Sequence, residues 1–378
     1  MRQRWTINGR FLSQQSTGVQ RYARQIVTGM DRLLGEGGAL PESVALDLVV
    51  PPGADSLDLR HIRVRTVGRF GGHAWEQFEL PMHVRGGLLS LGNTGPVSIA
   101  HQIVCIHDLN PRICPDSYTV PFRVSYRLLH SILGRRARRI TTVSAYSARQ
   151  IAQFGIATAG RIAVVPNGHE HVHAWEPRLS PIVERNSGSD TIVLLGSTAR
   201  HKNVGIILQM AERLAQEGLR IAIVGDRNPA VFADRSHPTD APNITWLGRL
   251  DDGELAALLR RSLCLAFPSL TEGFGLPPLE AMALGCAVVV SDRASLPEIC
   301  GDAALYAAPT RAEEWHAQFR LLRDRPDLRT ALVRRGLSRV EAFSWRRSAD
   351  LYLRLLAQTS DPRALAVPSQ RPSLAPVR

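Results

Sequence analysis

Two kinds of hydrophobic pattern alternate along the chain. Short continuous apolar runs bounded by Pro, Gly or polar residues predict strands buried on both faces of a parallel sheet, and the clearest are residues 44–50, 191–195, 220–224, 263–267 and 287–290. Longer segments between them carry apolar residues at helical spacing. Residues 19–34 show this best, with Tyr22, Ile26 and Met30 on one face. The alternation predicts an α/β fold with parallel sheets.

A polar segment divides this alternation into two series. Residues 176–190 are rich in Pro, Ser, Asn and Gly and have no apolar period, which is typical of a linker. We therefore predict one Rossmann-like domain over residues 1–175 and another over 191–342. Residues 361–378 are rich in Pro, Arg, Ala and Ser and predict a disordered tail. A chain of 378 residues can form a core in each of two such domains.

The most informative stretch runs from residue 264 to 292 and predicts a strand, a loop, a short helix and a second strand. Pro277 and Pro278 fit the first turn of a helix, where an N–H would lack a partner in any case, and Gly285 fits its end. The loop 271–276 therefore follows a strand and precedes a helix, which is where open α/β sheets bind ligands.

This loop combines an anion site with carboxylates. The amides of residues 273–276 can point at an anion, and Glu272 and Glu280 can accept hydrogen bonds from hydroxyls. Two glutamates eight residues apart are common on protein surfaces, so the spacing alone does not mark a site. The combination favours a ligand that carries both sugar and phosphate, such as a nucleotide sugar.

The string Glu-Gly-Phe-Gly-Leu-Pro-Pro-Leu-Glu at 272–280, followed by Ala-Met-Ala-Leu-Gly, resembles the E-x7-E signature of glycosyltransferase family 4. The resemblance implies a GT-B fold, in which two Rossmann-like domains with parallel sheets face a cleft. It also implies that residues 343–360 form a crossover helix returning to the amino-terminal, acceptor-side domain. The reaction of that family retains anomeric configuration.

The same resemblance assigns roles to this loop. Glu272 is expected beside the transferring sugar as a catalytic residue, and Glu280 on the nucleotide ribose. The residues between them that would bind the donor are Gly273, Phe274, Gly275 and Leu276.

Residues 196–203, Gly-Ser-Thr-Ala-Arg-His-Lys-Asn, resemble the G-x5-K-N motif of the family, whose basic pair binds the donor diphosphate. Many members have Arg directly after the glycine, where this chain has Ser197. We therefore expect Arg200 and Lys202 to bind the diphosphate. Lys202 is the only lysine of the chain, and a compact ammonium suits phosphate.

Residues of the amino-terminal domain are expected to complete the site. Gly18 lies in a loop similar to the glycine loop that closes over the donor in family members, although a plain strand-to-helix turn would look the same. His107 ends a buried strand, where a structural hydrogen-bonded role is the usual alternative; the resemblance favours a catalytic role near the reaction centre. Asp108, Thr17 and Asn167 are expected to support the site.

Charge and cysteine content narrow the function further. The net charge of +12 admits nucleic acid, anionic lipid or phosphorylated substrates as partners, but aromatic residues make up only 6% of the chain, fewer than stacking on nucleic acid would require. We expect no nucleic-acid partner. The five cysteines are scattered without a CxxC pair, which is typical of a reduced cytoplasmic protein without zinc sites or disulfides.

Contact with a membrane is a separate question. No signal peptide and no run of about 18 apolar residues is present in the sequence. Residues 118–140 combine aromatic and aliphatic residues with six arginines and predict a basic amphipathic helix. Such a helix can lie on an anionic membrane surface at the inner face of the cytoplasmic membrane, or it can pack its apolar face on the sheet. Both alternatives stay open.

These patterns lead to one hypothesis and its rivals. The chain is expected to move a hexose, mannose from GDP-mannose, to a hydroxyl of a glycan or polyisoprenyl-linked glycan in bacterial polysaccharide or lipopolysaccharide biosynthesis. Because the sequence lacks an acidic Asp-x-Asp doublet, neither a metal nor another cofactor is expected. The alternatives are a transferase for UDP- or dTDP-sugars, a soluble disaccharide synthase, and a basic nucleic-acid-binding Rossmann protein.

Overall fold

A computed structural model of the chain describes residues 3–37, 44–196, 199–225 and 241–360, which form two parallel sheets. The first sheet has the order β3-β2-β1-β4-β5-β6-β7. Its strands are β1 Gln3–Asn8, β2 Val44–Val50, β3 Arg63–Thr66, β4 Gly87–Ser90, β5 Gln102–Cys105, β6 Arg139–Thr142 and β7 Ile162–Val164. The predicted strand at 44–50 is confirmed at both ends.

The second sheet has the order β10-β9-β8-β11-β12-β13. Its strands are β8 Thr191–Leu195, β9 Arg220–Val224, β10 Ile244–Gly248, β11 Cys264–Phe267, β12 Val288–Ser291 and β13 Leu305–Ala307. Every residue of β11 and β12 is buried, as expected for central strands covered by helices on both faces. The two sheets confirm the predicted α/β class.

Helices cover both sheets. The α-helices are α1 Gly18–Gly35, α2 Gly72–Ala74, α3 Leu80–His83, α4 Asn110–Ile113, α5 Val120–Arg136, α6 Ala145–Gln153, α7 Pro181–Asn186, α8 Gly205–Leu208, α9 Ala211–Gln216, α10 Asp252–Arg261, α11 Leu276–Ala283, α12 Leu296–Cys300, α13 Ala312–Asp324, α14 Pro326–Val340 and α15 Trp345–Ser360. A π-helix spans Trp75–Glu79, and 3-10 helices span Gly9–Ser13, Pro115–Ser117, Ala159–Arg161, Glu170–Ala174, Arg200–Lys202 and Gly301–Ala303. Among the helices of the described ranges, none has the length and apolarity that crossing a membrane requires.

The last helix, α15, returns to the amino-terminal domain and packs on α1. The hydroxyls of Tyr22 and Tyr352 are 3.0 Å apart, and a Cβ on Gly29 would lie 2.9 Å from the Cβ of Ala349, so the two helices are in close contact. The predicted crossover helix is therefore confirmed. The segment predicted as a linker contains the short helix α7, which buries Val183.

One predicted helix differs from the structure, and one helical stretch is interrupted. The helices α8 and α9 are separated where the amide of Met210 donates to the carbonyl of Ile207 at 3.1 Å, a 3-10 turn that tightens the chain. The helix expected over 118–140 ends at Arg136. The following β-branched run Ile140-Thr-Thr142 belongs to β6 and pairs with β5 and β7.

Apolar packing continues between the domains. One buried cluster includes Phe11 and Tyr22 from the amino-terminal domain, Phe274 and Leu276 from the carboxyl-terminal domain, and Trp345 from the start of α15. The carboxyl edges of the two sheets consequently face each other across a narrow cleft. Ser197 and the predicted tail at 361–378 lie outside the described residues.

Candidate active site

The cleft between the two sheets has a volume of about 410 Å³ and takes its walls from both domains. Nearly all the predicted site residues line it: Thr17, Gly18, His107, Asp108, Asn167, Lys202, Glu272, Gly273, Phe274, Gly275, Leu276 and Glu280. Arg200 is not among these lining residues, and its side chain is exposed on the 3-10 helix Arg200–Lys202. The roles of all these residues remain predictions.

Lys202 and Glu272 form an ion pair in the cleft. The ammonium of Lys202 donates to Oε1 of Glu272 at 2.6 Å and lies 5.0 Å from the centre of the Phe267 ring. Glu272 is 8% exposed, so the carboxylate depends on this cation for compensation of its charge. The ion pair thus places one cation and one anion in the loops that follow the carboxyl ends of β8 and β11.

The loop before α11 is fixed by its own contacts. Gly275 has φ of +99°, and a Cβ there would lie 2.7 Å from Cδ2 of Leu296, so glycine is required. The hydroxyl of Ser295 bonds the carbonyls of Glu272 at 3.0 Å and Phe274 at 2.8 Å. The helix α11 then begins at Leu276, and because Pro277 and Pro278 carry no N–H, the backbone amides offered at this edge of the cleft are those of residues 273–276. Such amides can bind an anion.

Glu280 is held by residues from outside its own domain. Its Oε1 accepts a hydrogen bond from Nε2 of His171 at 2.9 Å and lies 3.5 Å from a guanidinium nitrogen of Arg21. Arg21 also pairs with Asp252 at 2.9 Å and stacks on Trp175. The carboxylate is 7% exposed, and α11 presents it to the cleft.

His107 combines a cleft position with structural hydrogen bonding. Its Nε2–H donates to the carbonyl of Leu91 at 2.8 Å, and its ring packs edge-on against Tyr22. Burial alone would lower the pKa of His107, but the Cys105 thiol, the Leu91 carbonyl and the Asp108 carboxylate outweigh burial and raise it. The hydrogen bond to Leu91 therefore fixes the orientation of the imidazole, which lines the cleft.

Asp108 brings a third carboxylate to the cleft, beside Glu272 and Glu280. Burial raises the pKa of Asp108, and the negative charge of Glu272 adds to that rise, whereas the Asn110 amide, His107 and Lys202 oppose it. Its Oδ1 accepts the Asn110 N–H at 2.9 Å. The carboxylates of Asp108 and Glu272 and the ammonium of Lys202 are therefore in electrostatic contact within the cleft.

The amino end of α6 contacts the donor-side loop. The hydroxyls of Ser144 and Ser147 donate to the carbonyl of Gly273 at 2.6 and 3.1 Å. A Cβ on Gly273 would collide with the backbone carbonyl of His107, which explains the glycine there. This contact joins the two domains directly at the cleft.

Two polar atoms in the wall of the cleft have no hydrogen-bond partner within the part of the chain that the structure describes. They are Oδ1 of Asn167 and Nδ1 of His201, in residues that are 4% and 6% exposed. Buried polar atoms are nearly always hydrogen-bonded in proteins. Both atoms are therefore available to a polar ligand in the cleft.

Comparison with known proteins agrees with this geometry. Residues 176–339 match the family of glycosyl transferases group 1. The chain carries a glycosyl transferases group 1 domain. The resemblance to glycosyltransferases that the sequence motifs indicate is therefore confirmed.

Relatives of this glycosyltransferase include two O-antigen enzymes. The O-antigen chain mannosyltransferase RfbU of Salmonella typhimurium is 23% identical over 84% of this chain and 90% of that protein. The O-antigen chain mannosyltransferase B of Escherichia coli is 28% identical over 66% of this chain and 68% of that protein.

A solved structure supports the fold of the glycosyltransferase. Sucrose-phosphate synthase from Thermosynechococcus elongatus superposes with a TM-score of 0.67, at 19% identity, over 94% of this chain and 100% of that chain. Together with the two parallel sheets, this likeness confirms the predicted GT-B fold. At such low identity it shows the fold alone.

Some residues of the glycosyltransferase site were missed from the sequence. His171 belongs to the run Gly-His-Glu-His-Val-His at 168–173, whose alternating histidines were a signal that could have been weighed. Arg21 lies one turn after Gly18 on α1, and Ser144 immediately precedes α6. In residues 3–37, 44–196, 199–225 and 241–360, no group of three His, Cys, Asp or Glu side chains is placed to hold a metal.

Proposed function

We propose that this glycosyltransferase moves a mannosyl group from GDP-mannose to a hydroxyl of a glycan or polyisoprenyl-linked glycan, with retention of anomeric configuration, in bacterial surface-polysaccharide assembly. The observation that carries the proposal is the convergence of Lys202, Glu272 and Glu280 on one cleft. The choice of mannose is supported by the two O-antigen chain mannosyltransferases among the relatives.

Charge explains how the cleft would act on a nucleotide sugar. As the bond between the anomeric carbon and the diphosphate breaks, negative charge grows on the diphosphate and positive charge on the sugar. Lys202 and the backbone amides of residues 273–276 would stabilise the diphosphate, and Glu272 would stabilise the positive charge on the sugar. Glu280, further along α11, would hold the ribose through its second carboxylate oxygen.

We also propose that this stabilisation needs no divalent metal or other cofactor, because an ammonium and backbone amides serve the diphosphate. Full turnover in the presence of EDTA, without recovery on adding Mg²⁺ or Mn²⁺, is the expected result. Activity that disappears with EDTA and returns with Mg²⁺ would contradict it.

The acceptor would enter from the side of the amino-terminal domain. His107 and Asp108 line that wall of the cleft opposite Glu272. Either can hydrogen-bond an incoming hydroxyl, and His107 already has its Nε2–H fixed by Leu91.

A membrane-bound acceptor is supported by the surface of α5. Its amino-terminal half exposes Val120, Val124 and Leu128, each about three-fifths exposed, beside Arg123 and Arg127. The carboxyl-terminal half packs on the sheet through Leu133. We propose that the exposed half associates peripherally with anionic lipid on the inner face of the cytoplasmic membrane.

The donor is tested by incubating the purified protein with GDP-mannose, UDP-glucose, UDP-galactose and dTDP-rhamnose and following release of the nucleoside diphosphate. Release from GDP-mannose above the other donors is expected, and the Lys202→Met variant should abolish it. Release from a UDP- or dTDP-sugar alone would overturn the mannosyl assignment but keep the glycosyltransferase.

A further inference from the structure

Two stretches of chain run side by side where the polypeptide passes between the domains. The ring of His169 donates from Nδ1 to the carbonyl of Phe343 at 2.7 Å, and the amide of Trp345 donates to Glu170 at 2.8 Å. One stretch leads into the segment 175–190, and the other leads into α15. These contacts therefore join the two stretches of chain that connect the domains, residues 169–174 and 343–345, which we call the hinge.

The next residue along, His171, connects this hinge to the cleft. Nε1 of Trp345 donates to Nδ1 of His171 at 2.9 Å. An indole N–H can only donate, so Nδ1 accepts and the ring proton of a neutral imidazole is on Nε2. That Nε2–H points at Oε1 of Glu280, 2.9 Å away. Trp345 thus selects the tautomer of His171 that can hold Glu280.

This arrangement leaves the two oxygens of Glu280 in different states. Oε1 accepts the hydrogen bond from His171 and lies near the guanidinium of Arg21. That guanidinium also pairs with Asp252 and lies over the Trp175 ring. No hydrogen bond to Oε2 is present among the described residues. His171 and Glu280 are 9% and 7% exposed, so neither can exchange this contact for bulk water without moving.

We propose that His171 is a positioning residue for nucleotide recognition: it occupies one oxygen of Glu280 so that the other is presented to a ribose hydroxyl, and Trp345 fixes the tautomer that does so. The proposal rests on the proposed function, in which Glu280 holds the ribose. It makes recognition of the ribose dependent on the geometry of the hinge, because His171 and Trp345 come from the two hinge stretches.

The test compares a ribonucleotide with an analogue that lacks the ribose hydroxyls. Binding of GDP and 2′,3′-dideoxy-GDP is measured by calorimetry, with UDP and 2′,3′-dideoxy-UDP in parallel. The variants are Glu280→Gln, His171→Ala, His171→Gln and Trp345→Phe. His173→Ala is the matched control, because His173 is exposed on the same 3-10 helix.

The wild type should prefer the ribonucleotide by roughly tenfold or more, as a hydrogen bond to a charged group permits. His171→Ala should reduce this preference to about twofold, with unchanged affinity for the dideoxy analogue, since only the ribose contact is lost. His171→Gln should restore most of it, because its amide can donate to Glu280. Trp345→Phe, which replaces the indole by a smaller aromatic ring without an N–H, should reduce the preference partly, and His173→Ala should leave it unchanged.

Equal weakening of both nucleotides in His171→Ala, or a full preference in both His171→Ala and Trp345→Phe, would overturn the proposal. A wild type that binds GDP and its dideoxy analogue equally would overturn it while leaving the donor assignment intact. If no nucleoside diphosphate binds, the proposed function fails as well. Should His171→Ala not fold, His171→Gln and Trp345→Phe still decide the question through the same ratio.

Discussion

The ammonium of Lys202 lies 2.6 Å from Oε1 of Glu272, so the two groups expected to serve opposite ends of a scissile bond neutralise each other in this structure. Their side chains are 25% and 11% exposed, which leaves the pair accessible from the cleft. A bound diphosphate would compete with Glu272 for the ammonium. Donor binding would therefore release the carboxylate toward the sugar at the moment when it is needed.

The first prediction concerns the diphosphate. Lys202→Met should weaken nucleoside diphosphate binding by about 1.5–3 kcal/mol, because a charge-assisted contact is removed. The sequence predicts that Arg200 also binds the diphosphate, but its side chain is exposed and does not line the cleft. Arg200→Ala should therefore weaken nucleoside diphosphate binding by less than Lys202→Met does. Calorimetry with GDP or UDP measures both. Equal losses would place Arg200 on the diphosphate after all.

The second prediction separates the two glutamates. Glu272→Gln should lower kcat on the order of a hundredfold with little change in donor KM, because positive charge on the sugar develops only in the transition state. Glu280→Gln should chiefly raise donor KM, because the ribose is contacted equally before and during reaction. Steady-state kinetics with varied donor distinguishes them. The reverse pattern would show that the two roles are exchanged.

The third prediction concerns closure of the cleft. Gly273→Ala should lower kcat on the order of a hundredfold, because its Cβ would collide with the His107 carbonyl and displace the loop. Gly160→Ala is the control, since a Cβ there meets nothing within 4 Å. Small-angle scattering should show a larger radius of gyration for Gly273→Ala only. Wild-type kinetics and size in this variant would mean that the domain contact does not govern activity.

Individual residues show which parts of the structure can be predicted from the sequence. Strand β2 and the two strands 191–195 and 220–224 were predictable at both ends because continuous apolar runs between polar boundaries determine them locally. The loop before α11 was predictable because Pro277 fixes the backbone at the start of the helix and Gly275 permits the positive φ that the preceding turn requires. His171 was not, because its contact with Glu280 joins residues 109 positions apart, and its tautomer depends on Trp345, which lies 174 positions after His171.

The fourth prediction is a pH dependence of stability. Burial lowers the pKa of His130 to about 4, and Arg112 adds to this, although a hydrogen bond with the Asn93 carbonyl opposes it. An unfolded histidine has a pKa of about 6.5, so between these values the unfolded chain binds the proton and the folded chain does not. The stabilisation is complete above pH 6.5 and is lost as the pH falls toward 4.

His130→Gln should therefore remove part of the acid lability. Between pH 7.5 and 5, its free energy of unfolding should fall by about 2 kcal/mol less than that of the wild type. Urea unfolding at the two pH values measures this, with His83→Gln, a half-buried histidine of α3, as the control. The same fall in wild type and His130→Gln would show that His130 titrates alike in both states.

The fifth prediction tests the membrane proposal. Val124→Ser with Leu128→Ser should reduce sedimentation with vesicles containing phosphatidylglycerol, because both apolar side chains are exposed on α5. Leu337→Ser, an exposed apolar residue of α14, is the control. Salt should release the wild type, since exposed charges are screened within about 8 Å at physiological ionic strength. Retention at high salt, or absence of binding at low salt, would contradict peripheral electrostatic association.

The return of α15 to the amino-terminal domain has a consequence for synthesis of the protein. Tyr352 and Leu353 are fully buried in the cluster that contains Tyr22 and Met30 of α1. On the ribosome α1 is made long before α15, which covers it, so the usual order, in which the amino-terminal domain completes its folding before later segments emerge, is not possible here. We expect the carboxyl-terminal domain to reach its native state first, while the apolar face of α1 stays uncovered until α15 has been synthesised.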